Sequence, residues 1–410
     1  MPKIGLSLTN LLHTLVLIFI FTLPFQTRYI FNEGENQFTT LGLYGFDIIF
    51  IILLAVFIFW WYRQKETKLN WSVISICFAL VVFTGISAYW SVDREISFHF
   101  WIRFIEALLA AAIISASKIP IKKLLYVLLL NGLVQSIFIL WQNASQHVYA
   151  SKWLGMSEQI GELSGTAVVV TDTGRFLRAF GTLPHPNIAG GLILISLVSA
   201  IIIWQYSKEN IERYALLLVV SICSFGLLLT FSRTAVLVWL AILAITVFLH
   251  YKQQSLLVAS LLSISVAMII YLPQVQSRVL GQQFVETYSM DQRGDQFAEA
   301  GAVLKKRWPQ GVGIGAYTVA LKNEEPQPIH NIYLLVASEL GVIAALVFFY
   351  WNGWMLFKVN KKSRYSQGIT LMLGAILLAG IMDHYFWTLP SMFMLWMIII
   401  GLQLRESKLT

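Results

Sequence analysis

Residues 214–250 read YALLLVVSICSFGLLLTFSRTAVLVWLAILAITVFLH, which is two apolar runs divided only by Phe231-Ser232-Arg233. A helix that crosses the hydrocarbon core of a bilayer needs about 20 mostly apolar residues, and each run approaches that length. The stretch therefore predicts a tight hairpin of two transmembrane helices, with Ser232 capping the second. Arg233 is costly there unless it faces a wet cavity or an anion, which makes it a candidate site residue. The plainer alternative is an arginine that snorkels to the interface.

The whole chain repeats this pattern. Its 410 residues are 57% hydrophobic and 12% charged, with a mean hydropathy of +0.70, whereas a soluble domain carries about a quarter charged residues. We therefore predict an all-α, polytopic membrane protein, with residues 1–410 as a single integral membrane domain of about twelve transmembrane helices. The predicted spans are residues 6–25, 41–61, 71–90, 98–117, 123–141, 187–206, 214–231, 233–250, 254–272, 332–357, 367–383 and 389–404.

Lysine and arginine are concentrated in the connectors that follow the even-numbered spans, for example at residues 63–68 and 358–364, and at both termini. Because basic residues favour the cytoplasmic side of a membrane, this asymmetry predicts that both termini are cytoplasmic. The extracytoplasmic side then receives the segment 142–186, the tip of the hairpin and the polar loop 273–331 between spans nine and ten. The net charge of +8 reflects this topology, and we predict membrane lipids, and no nucleic acid, as partners.

The loop 273–331 is the longest polar interruption of the chain, and it ends in PQPIHN just before span ten. A neutral imidazole near pH 7 can accept a proton from a hydroxyl, so His330 is a candidate base. The alternative is a histidine that bonds to the backbone at a helix start. Within the loop, residues 295–306 have the pattern of a helix on the membrane surface, and Arg293 precedes them.

A second polar run, RFLRAFGTLPHPN at residues 175–187, leads directly into span six. Asn187 is predicted to cap that helix. A helix N-terminus binds anions, and Arg178 would strengthen such a site, although a snorkelling arginine explains the same pattern. His185 lies between two prolines and is a weaker candidate than His330.

The first external loop contains Glu33-Gly34-Glu35. Metal-dependent transferases of lipid-linked sugars often carry an acidic-x-acidic motif in that loop, but two-residue patterns of this kind arise easily by chance. We therefore predict no bound metal and no cofactor. The remaining histidines considered as site residues, His99, His147 and His384, have no supporting context.

Three motifs follow one another in order. The first, before a helix, is Arg178-x-x-Gly181-x-x-x-His185-Pro186-Asn187, and the second, at a hairpin, is Ser232-Arg233-x-Ala235. The third lies in and after the polar loop: it begins with Arg293, continues with Pro309-x-Gly311-x-Gly313-x-Gly315 and His330-Asn331-x-Tyr333-Leu334, and ends with Glu339-x-Gly341. In this order and on one predicted side of the membrane, over residues 175–345, they resemble the bacterial O-antigen ligase and O-antigen polymerase superfamily.

The resemblance implies a membrane glycosyltransferase in the bacterial cytoplasmic (inner) membrane, with its active site on the periplasmic face. Such enzymes move a glycan from a polyprenyl (undecaprenyl) diphosphate donor to the hydroxyl of a lipid or glycan acceptor, without a metal. The resemblance further implies that Arg178 and Arg233 bind the donor diphosphate and that His330 is the catalytic base. Arg293, His185 and Asn187 would support them.

Elementary chemistry agrees with these roles. The diphosphate leaves with added negative charge, which two guanidinium groups can stabilise by bidentate contacts, and the acceptor oxygen must lose its proton to a base as it attacks. Attack opposite the leaving group inverts the anomeric centre. Two alternatives stay open: a transporter or flippase for a lipid-linked saccharide, which would not need His330, and a protein O-oligosaccharyltransferase that uses the same donor.

Overall fold

The structure is a computed structural model that describes residues 7–63, 71–249, 254–280, 284–321, 326–360, 363 and 365–407. Most of these residues are helical, as the composition predicts. The helices are α1 (Leu8–Thr22), α2 (Gly45–Arg63), α3 (Trp71–Tyr89), α4 (Arg94–Ala116), α5 (Ile121–Ser145), α6 (Pro186–Tyr206), α7 (Asn210–Leu229), α8 (Arg233–Leu249), α9 (Gln254–Ile270), α10 (Leu272–Leu280), α11 (Phe284–Arg307), α12 (Tyr317–Ala320), α13 (Ile332–Leu340), α14 (Val342–Phe357), α15 (Ser366–Ala379), α16 (Tyr385–Thr388) and α17 (Pro390–Glu406).

Short antiparallel strand pairs accompany the helices in the part of the chain that the structure describes. The hydropathy pattern does not predict them, because each strand is too short to give a periodic signal. The pairs are β1 (Arg28–Asn32) with β2 (Leu41–Tyr44), β3 (His147–Val148) with β4 (Gln159–Ile160), and β5 (Val168–Thr171) with β6 (Gly174–Leu177).

Among the described residues, five helices are long and apolar enough to cross a membrane, namely α2, α4, α5, α6 and α7. The count becomes six if α9 and α10, which meet at a bend of 92°, form one broken span. Shorter apolar stretches lie in α1, α14 and α15, in α3 over Val73–Tyr89 and in α8 over Arg233–Phe248. These helices support a polytopic membrane fold, and the count of twelve spans stays a prediction.

One predicted span ends in a sharp bend, and one that the sequence predicts as continuous is divided. The span predicted at 254–272 ends where α9 meets α10, and Pro273 lies in the first turn of α10; proline cannot continue a helix because it lacks an N–H and clashes with the preceding turn. The span predicted at 332–357 is split into α13 and α14 by Gly341, whose φ of 85° is a left-handed value that ends helices.

The polar segment 273–331 is largely helical where the structure describes it, because α10, α11 and α12 fall almost wholly within it. The helix predicted over 295–306 is confirmed, and it is longer than predicted because α11 begins at Phe284. Residues 281–283 and 322–325 of this segment, and the predicted span ends at residues 6 and 250, lie outside the described residues.

The chain divides into two compact units. The first unit is drawn from Met1–Leu23, Arg28–Ile121 and Arg293–Thr410, and the second from Pro24–Thr27 and Lys122–Gln292.

The core of the first unit is built around α17, which packs against α4 and α15. Phe104, Phe348, Trp387, Phe393 and Trp396 form an aromatic cluster there, with ring centroids 5.2–6.4 Å apart. Their mostly tilted and edge-on contacts are the arrangements that aromatic pairs prefer. The cluster therefore holds α4, α14, α16 and α17 together.

Helices α2 and α4 of the first unit share a buried ion pair. Arg103 Nη1 lies 2.5 Å from Asp47 Oδ1 and 3.0 Å from Glu106 Oε2, and Arg103 Nη2 donates to the carbonyl of Gly42 at 2.8 Å. Charges inside apolar helices are expensive unless they are paired in this way. The pair thus fixes the position of α2 and of the strand that precedes it.

The core of the second unit is built around α6, which is buried along its apolar length. Helix α7 packs against both α6 and α9. Ser224 and Ser260 form a hydrogen bond of 2.8 Å between α7 and α9, and Trp239 Nε1 of α8 donates to Ser260 Oγ at 2.8 Å. Small polar side chains of this kind join helices where no water is available to compete.

Candidate functional site

The segment that follows Arg178 is fixed by side chains of α5 in the second unit. The chain leaves β6 directly at Arg178 and then runs across two glutamines. Gln142 Oε1 accepts hydrogen bonds from the N–H groups of residues 180–181 at 3.1 and 2.9 Å, and Gln135 Oε1 accepts from the N–H of Thr182 at 2.8 Å. This irregular segment is therefore held in place by buried polar contacts, as a buried loop requires.

Helix α6 begins at Pro186, and its N-cap is His185, whose Nδ1 accepts from the N–H of Asn187 at 3.2 Å. Proline suits the first helical position because its missing N–H would have no partner there. The prediction that Asn187 caps this helix is therefore wrong. His185 takes that role, and the side chain of Asn187 makes a different contact.

Arg178 links the start of α6 to the end of α7. It is only 5% exposed. Its Nη2 donates to Asn187 Oδ1 at 2.8 Å, its Nε donates to the carbonyl of Thr230 at 3.1 Å, and Nη2 also reaches the carbonyl of Phe231 at 3.5 Å. The planar guanidinium group matches this fork of acceptors, and a lysine could not reproduce it.

The hairpin tip, residues 230–232, is a strained turn. Phe231 has a φ of 49°, which is uncommon for a bulky side chain. The N–H of Ser232 donates to Thr230 Oγ1 at 3.2 Å, and Ser232 Oγ accepts from the N–H of Ala235 at 3.4 Å. The second bond confirms Ser232 as the cap of α8. Strain of this kind persists where the surroundings enforce it, and it collects at functional sites.

A third arginine joins this tip. Arg233 Nη1 donates to the carbonyl of Arg278 at 3.2 Å, and Arg278 Nε donates to the carbonyl of Phe231 at 3.3 Å. Arg278 lies in the last turn of α10, which the bend after α9 turns away from the α9 axis. We call Arg178, Arg233 and Arg278 the arginine cluster, because their guanidinium groups bond to the hairpin tip or to one another's backbone.

The arginine cluster is suited to an anion with several oxygens. Guanidinium groups keep their charge at every physiological pH and bind phosphate through paired N–H groups. The tip also begins α8, and a helix N-terminus favours negative charge. The arrangement can therefore hold a diphosphate and stabilise charge that develops on it.

His330 lies in the first unit, immediately before α13, whose N-cap is Asn331. Its ring Nδ1 is 2.9 Å from Gln296 Oε1, and its backbone N–H donates to the same Oε1 at 3.2 Å. Because the backbone donor identifies that amide atom as the oxygen, the ring Nδ1 must carry the proton that it shares with Gln296. The lone pair of the neutral ring is then on Nε2, where a base needs it.

A second imidazole and a carboxylate lie beside His330. The rings of His330 and His384 are 5.0 Å apart, edge to face, and the N–H of His384 donates to Asp383 Oδ1 at 2.9 Å. Thr388 Oγ1 lies 2.8 Å from His384 Nδ1. Asp383 is 5% exposed, so its carboxylate acts on both rings with little screening by water.

Burial sets the protonation of both imidazoles. It lowers the pKa of His330 below its usual value; the Asp383 carboxylate opposes this shift and the Arg293 guanidinium adds to it. Burial likewise lowers the pKa of His384 to about 4, with Asp383 again opposing and with His330 and Arg293 adding. Both rings are therefore neutral at pH 7, and His330 can accept a proton.

Arg293 stands near this group on α11. Its Nε is buried and has no hydrogen-bond partner among the residues that the structure describes. A buried guanidinium N–H without a partner is expensive. Arg293 is therefore positioned for a ligand oxygen on the His330 side of α11.

The same group offers metal ligands. One ligand atom each from His330, Asp383 and His384 lie within 4.8 Å of one another, and two imidazoles with a carboxylate suit zinc or iron(II). An ion there would occupy the Nε2 lone pair of His330. Metal binding and proton abstraction by His330 are therefore mutually exclusive uses of the group.

Comparison with known families points to one of them: residues 215–349 match the family model described as O-antigen ligase. These residues, called the matched segment below, are similar to that family. The match confirms the resemblance to the O-antigen ligase and polymerase superfamily, and it supports a membrane glycosyltransferase of that general type. No curated protein matches the chain significantly.

The matched segment contains part of each group described above. Arg233, Arg278, Arg293, Gln296 and His330 lie inside residues 215–349. The residues outside it are Arg178, His185 and Asn187, which precede the match, and Asp383 and His384, which follow it.

The structure brings some predicted residues together and adds others. Arg178, His185, Asn187 and Arg233 gather at the hairpin tip of the second unit, and Arg293 and His330 lie together in the first. Sequence reasoning missed Arg278, Gln296, Asp383 and His384. His384 has no supporting context in the sequence alone. The signal that could have found it is the pair Asp383-His384 at the end of a predicted span, because ionisable residues at membrane depth are functional candidates.

Proposed function

We propose that the protein transfers a glycan from a polyprenyl-diphosphate donor to the hydroxyl of a lipid or glycan acceptor, with inversion and without a metal. The similarity of residues 215–349 to the O-antigen ligase family supports a ligase or polymerase type of membrane glycosyltransferase. The donor, the mechanism and the roles of single residues are our proposal.

The observation that carries the proposal is the tautomer of His330. Gln296 Oε1 takes the Nδ1 proton, burial keeps the ring neutral, and Nε2 remains as the proton acceptor. We assign His330 as the catalytic base and Gln296 as its positioning residue.

The arginine cluster is proposed to act on the leaving group, the donor diphosphate. We propose that Arg178, Arg233 and Arg278 bind the donor diphosphate, with Arg178 also holding the hairpin tip through Thr230 and Asn187. Fixed positive charges stabilise the departing diphosphate without reorganising during the reaction. Arg293, His185 and Asn187 act as supporting residues, the first near His330 and the other two at the start of α6.

The step balances with these groups alone. The acceptor O–H gives its proton to His330 Nε2, and the acceptor oxygen forms a bond to the anomeric carbon. The bond from that carbon to the diphosphate oxygen breaks, and the polyprenyl diphosphate leaves with the electron pair. Attack from the face opposite the diphosphate inverts the anomeric centre.

The setting of this reaction is also proposed. The distribution of lysine and arginine in the sequence supports twelve spans in one integral membrane domain, cytoplasmic termini, and a reaction on the periplasmic face of the bacterial inner membrane. The apolar helices α2, α4, α5, α6 and α7 support the membrane setting.

The test is transfer by the purified full chain in lipid vesicles, given a defined polyprenyl-diphosphate glycan, with and without a chelator. The acceptors are a lipid-linked saccharide, a second polyprenyl-linked glycan and a serine- and threonine-containing peptide. Chelator-resistant transfer to either of the first two supports the proposal. Transfer to the peptide alone favours the protein O-oligosaccharyltransferase, and donor that crosses the bilayer without a new glycosidic bond favours the flippase; either result overturns the proposal.

A further inference from the structure

The first unit contains an open cavity of about 430 Å³, within the roughly 300–1,000 Å³ typical of small-molecule sites. One wall is the loop 35–39 between β1 and β2. The facing wall comes from α12 with the residue after it, and from residues 326–327. The loop belongs to the first external connector predicted from the sequence, and the proposed reaction does not use it.

The loop is a rigid wall. Asn36 Oδ1 accepts from the N–H groups of Phe38 and Thr39 at 2.9 and 3.2 Å, and Thr39 Oγ1 in turn accepts from the N–H of Asn36 at 3.1 Å. An asparagine that caps its own turn in this way fixes the backbone two and three residues ahead. The side chains of Glu35 and Gln37, which flank Asn36, are exposed at the cavity.

The lining has the chemistry of a saccharide site. Gln37 and Gln327 each offer an amide that can donate and accept, which matches a sugar hydroxyl that does both. Phe38 adds an aromatic surface for the apolar face of a sugar ring. Thr318 lies in the opposite wall; it is 3% exposed, and its Oγ1 has no hydrogen-bond partner in the part of the chain that the structure describes.

The charge of the lining disfavours binding of the donor diphosphate in this cavity. Glu35 places a carboxylate at the cavity. Its negative charge repels the donor diphosphate, so Glu35 selects against binding of the donor there. A carboxylate accepts hydrogen bonds from sugar hydroxyls without this penalty. The cavity therefore suits a neutral, hydroxyl-rich ligand.

The cavity is next to the imidazole pair. The Phe38 ring lies 6.1 Å from the His384 ring, and the His384 ring lies 5.0 Å from that of His330. A saccharide in the cavity is thus two aromatic rings away from the proposed base. An acceptor in the cavity must therefore be a glycan of more than one ring, so that one ring is held while another presents its hydroxyl to Nε2.

We infer that this cavity is the acceptor subsite, which binds the saccharide of the acceptor through Glu35, Gln37, Phe38 and Gln327. The inference rests on the proposed transfer reaction, because it assigns the second substrate of that reaction. It also gives Glu35 a role: the carboxylate holds a hydroxyl of the acceptor.

The test compares Glu35→Gln, Gln37→Leu and Gln327→Leu with the matched control Glu33→Gln, whose exposed carboxylate is on the same loop but does not line the cavity. Binding of lipid-free methyl hexosides and short neutral oligosaccharides to the full chain in detergent is followed by saturation-transfer NMR, with inorganic pyrophosphate as competitor.

In vesicles, KM is measured separately for acceptor and donor. Each cavity variant is expected to raise the acceptor KM about three- to tenfold, the value of one hydrogen bond. The donor KM, and all values for Glu33→Gln, should match the wild type.

The outcomes separate this inference from the proposed function. Saccharide binding that pyrophosphate does not displace and that the cavity variants weaken supports the subsite. A raised donor KM with an unchanged acceptor KM, or saccharide binding that no cavity variant alters, overturns it. A wild-type protein that binds these saccharides at the cavity but transfers no glycan overturns the proposed function instead.

Discussion

Gln296 Oε1 accepts two hydrogen bonds from one residue, the backbone N–H of His330 at 3.2 Å and its ring Nδ1 at 2.9 Å. One amide oxygen thereby fixes the position of the His330 backbone, the direction of its ring and the nitrogen that carries the proton. Gln296 is 4% exposed, so water cannot take its place. The relationship turns a histidine at a helix start into a base with a defined lone pair.

Replacing Gln296 by leucine should lower kcat by about 10- to 100-fold, the range found when a metal-bound histidine loses the partner that orients it. The donor KM should stay constant, because His330 does not bind the diphosphate. Gln296→Glu keeps an oxygen acceptor and should restore most of kcat at neutral pH, and it should raise the pKa of His330 because the new carboxylate favours the imidazolium. Equal loss in both variants, with normal thermal stability, would contradict the orienting role.

The pH dependence of kcat/KM should show one inflection on the acid side, below the ordinary histidine value of about 6.5. Burial and Arg293 lower the pKa of His330, Asp383 raises it, and the neighbouring His384 is neutral. Because the base works only when neutral, activity is full above this pKa and falls about tenfold per pH unit below it. Asp383→Asn should move the inflection to lower pH and Arg293→Gln to higher pH. If both variants moved the inflection in the same direction, Asp383 and Arg293 would not have the opposite effects on the pKa of His330 that we expect.

Arg278→Ala should lower kcat/KM for the donor about 10²- to 10³-fold, as for the loss of one donor to a developing anion. Arg233→Ala should behave alike, because the two arginines hold the same tip. Arg213→Ala is the matched control: Arg213 bonds to the carbonyl of Ser207 at the start of α7, whereas the tip follows the end of that helix. Initial rates at varied donor concentration provide the measurement. Normal donor kinetics for Arg278→Ala would remove it from the site.

Gly341→Ala should destabilise the protein by about 2–5 kcal/mol, because two penalties combine. The φ of 85° disfavours any side chain, and an added Cβ would lie 1.7 Å from the carbonyl oxygen of Pro309. Gly353→Ala is the control, since no described residue beyond its chain neighbours and its own helix backbone lies within 4 Å of its Cβ position. Thermal unfolding in detergent should show a clear loss for the first variant and little change or a small gain for the second.

Much of the fold could be predicted because hydropathy and charge are local properties. The α7–α8 hairpin, with Ser232 as cap, follows from two apolar runs and a short connector. The end of span nine before Pro273 was predicted, because the polar segment begins there. The break at Gly341 was missed because the apolar pattern continues through it, although glycine disfavours a continuous helix. The strand pairs were not predicted because their strands are too short to give an alternating hydropathy pattern.

The candidate site could be predicted only where a residue is unusual in its own neighbourhood. Arg233 between two apolar runs and His330 before a span satisfy that condition. Gln296 and Asp383 are unremarkable in sequence, and they gain a role because α11 and the α15–α16 connector bring them to His330. Arg278 belongs to the same class, since it reaches Phe231 only through the bend between α9 and α10.

The most direct test of the account is the single-turnover rate of glycan transfer by His330→Ala in vesicles saturated with donor and acceptor. His147→Ala is the control, because His147 pairs with the exposed Glu158 and has no part in the proposed reaction. The account predicts a fall of about 10²- to 10⁴-fold for His330→Ala, the usual contribution of a general base, with donor binding retained and His147→Ala unaffected. Transfer by His330→Ala at the wild-type rate would contradict it.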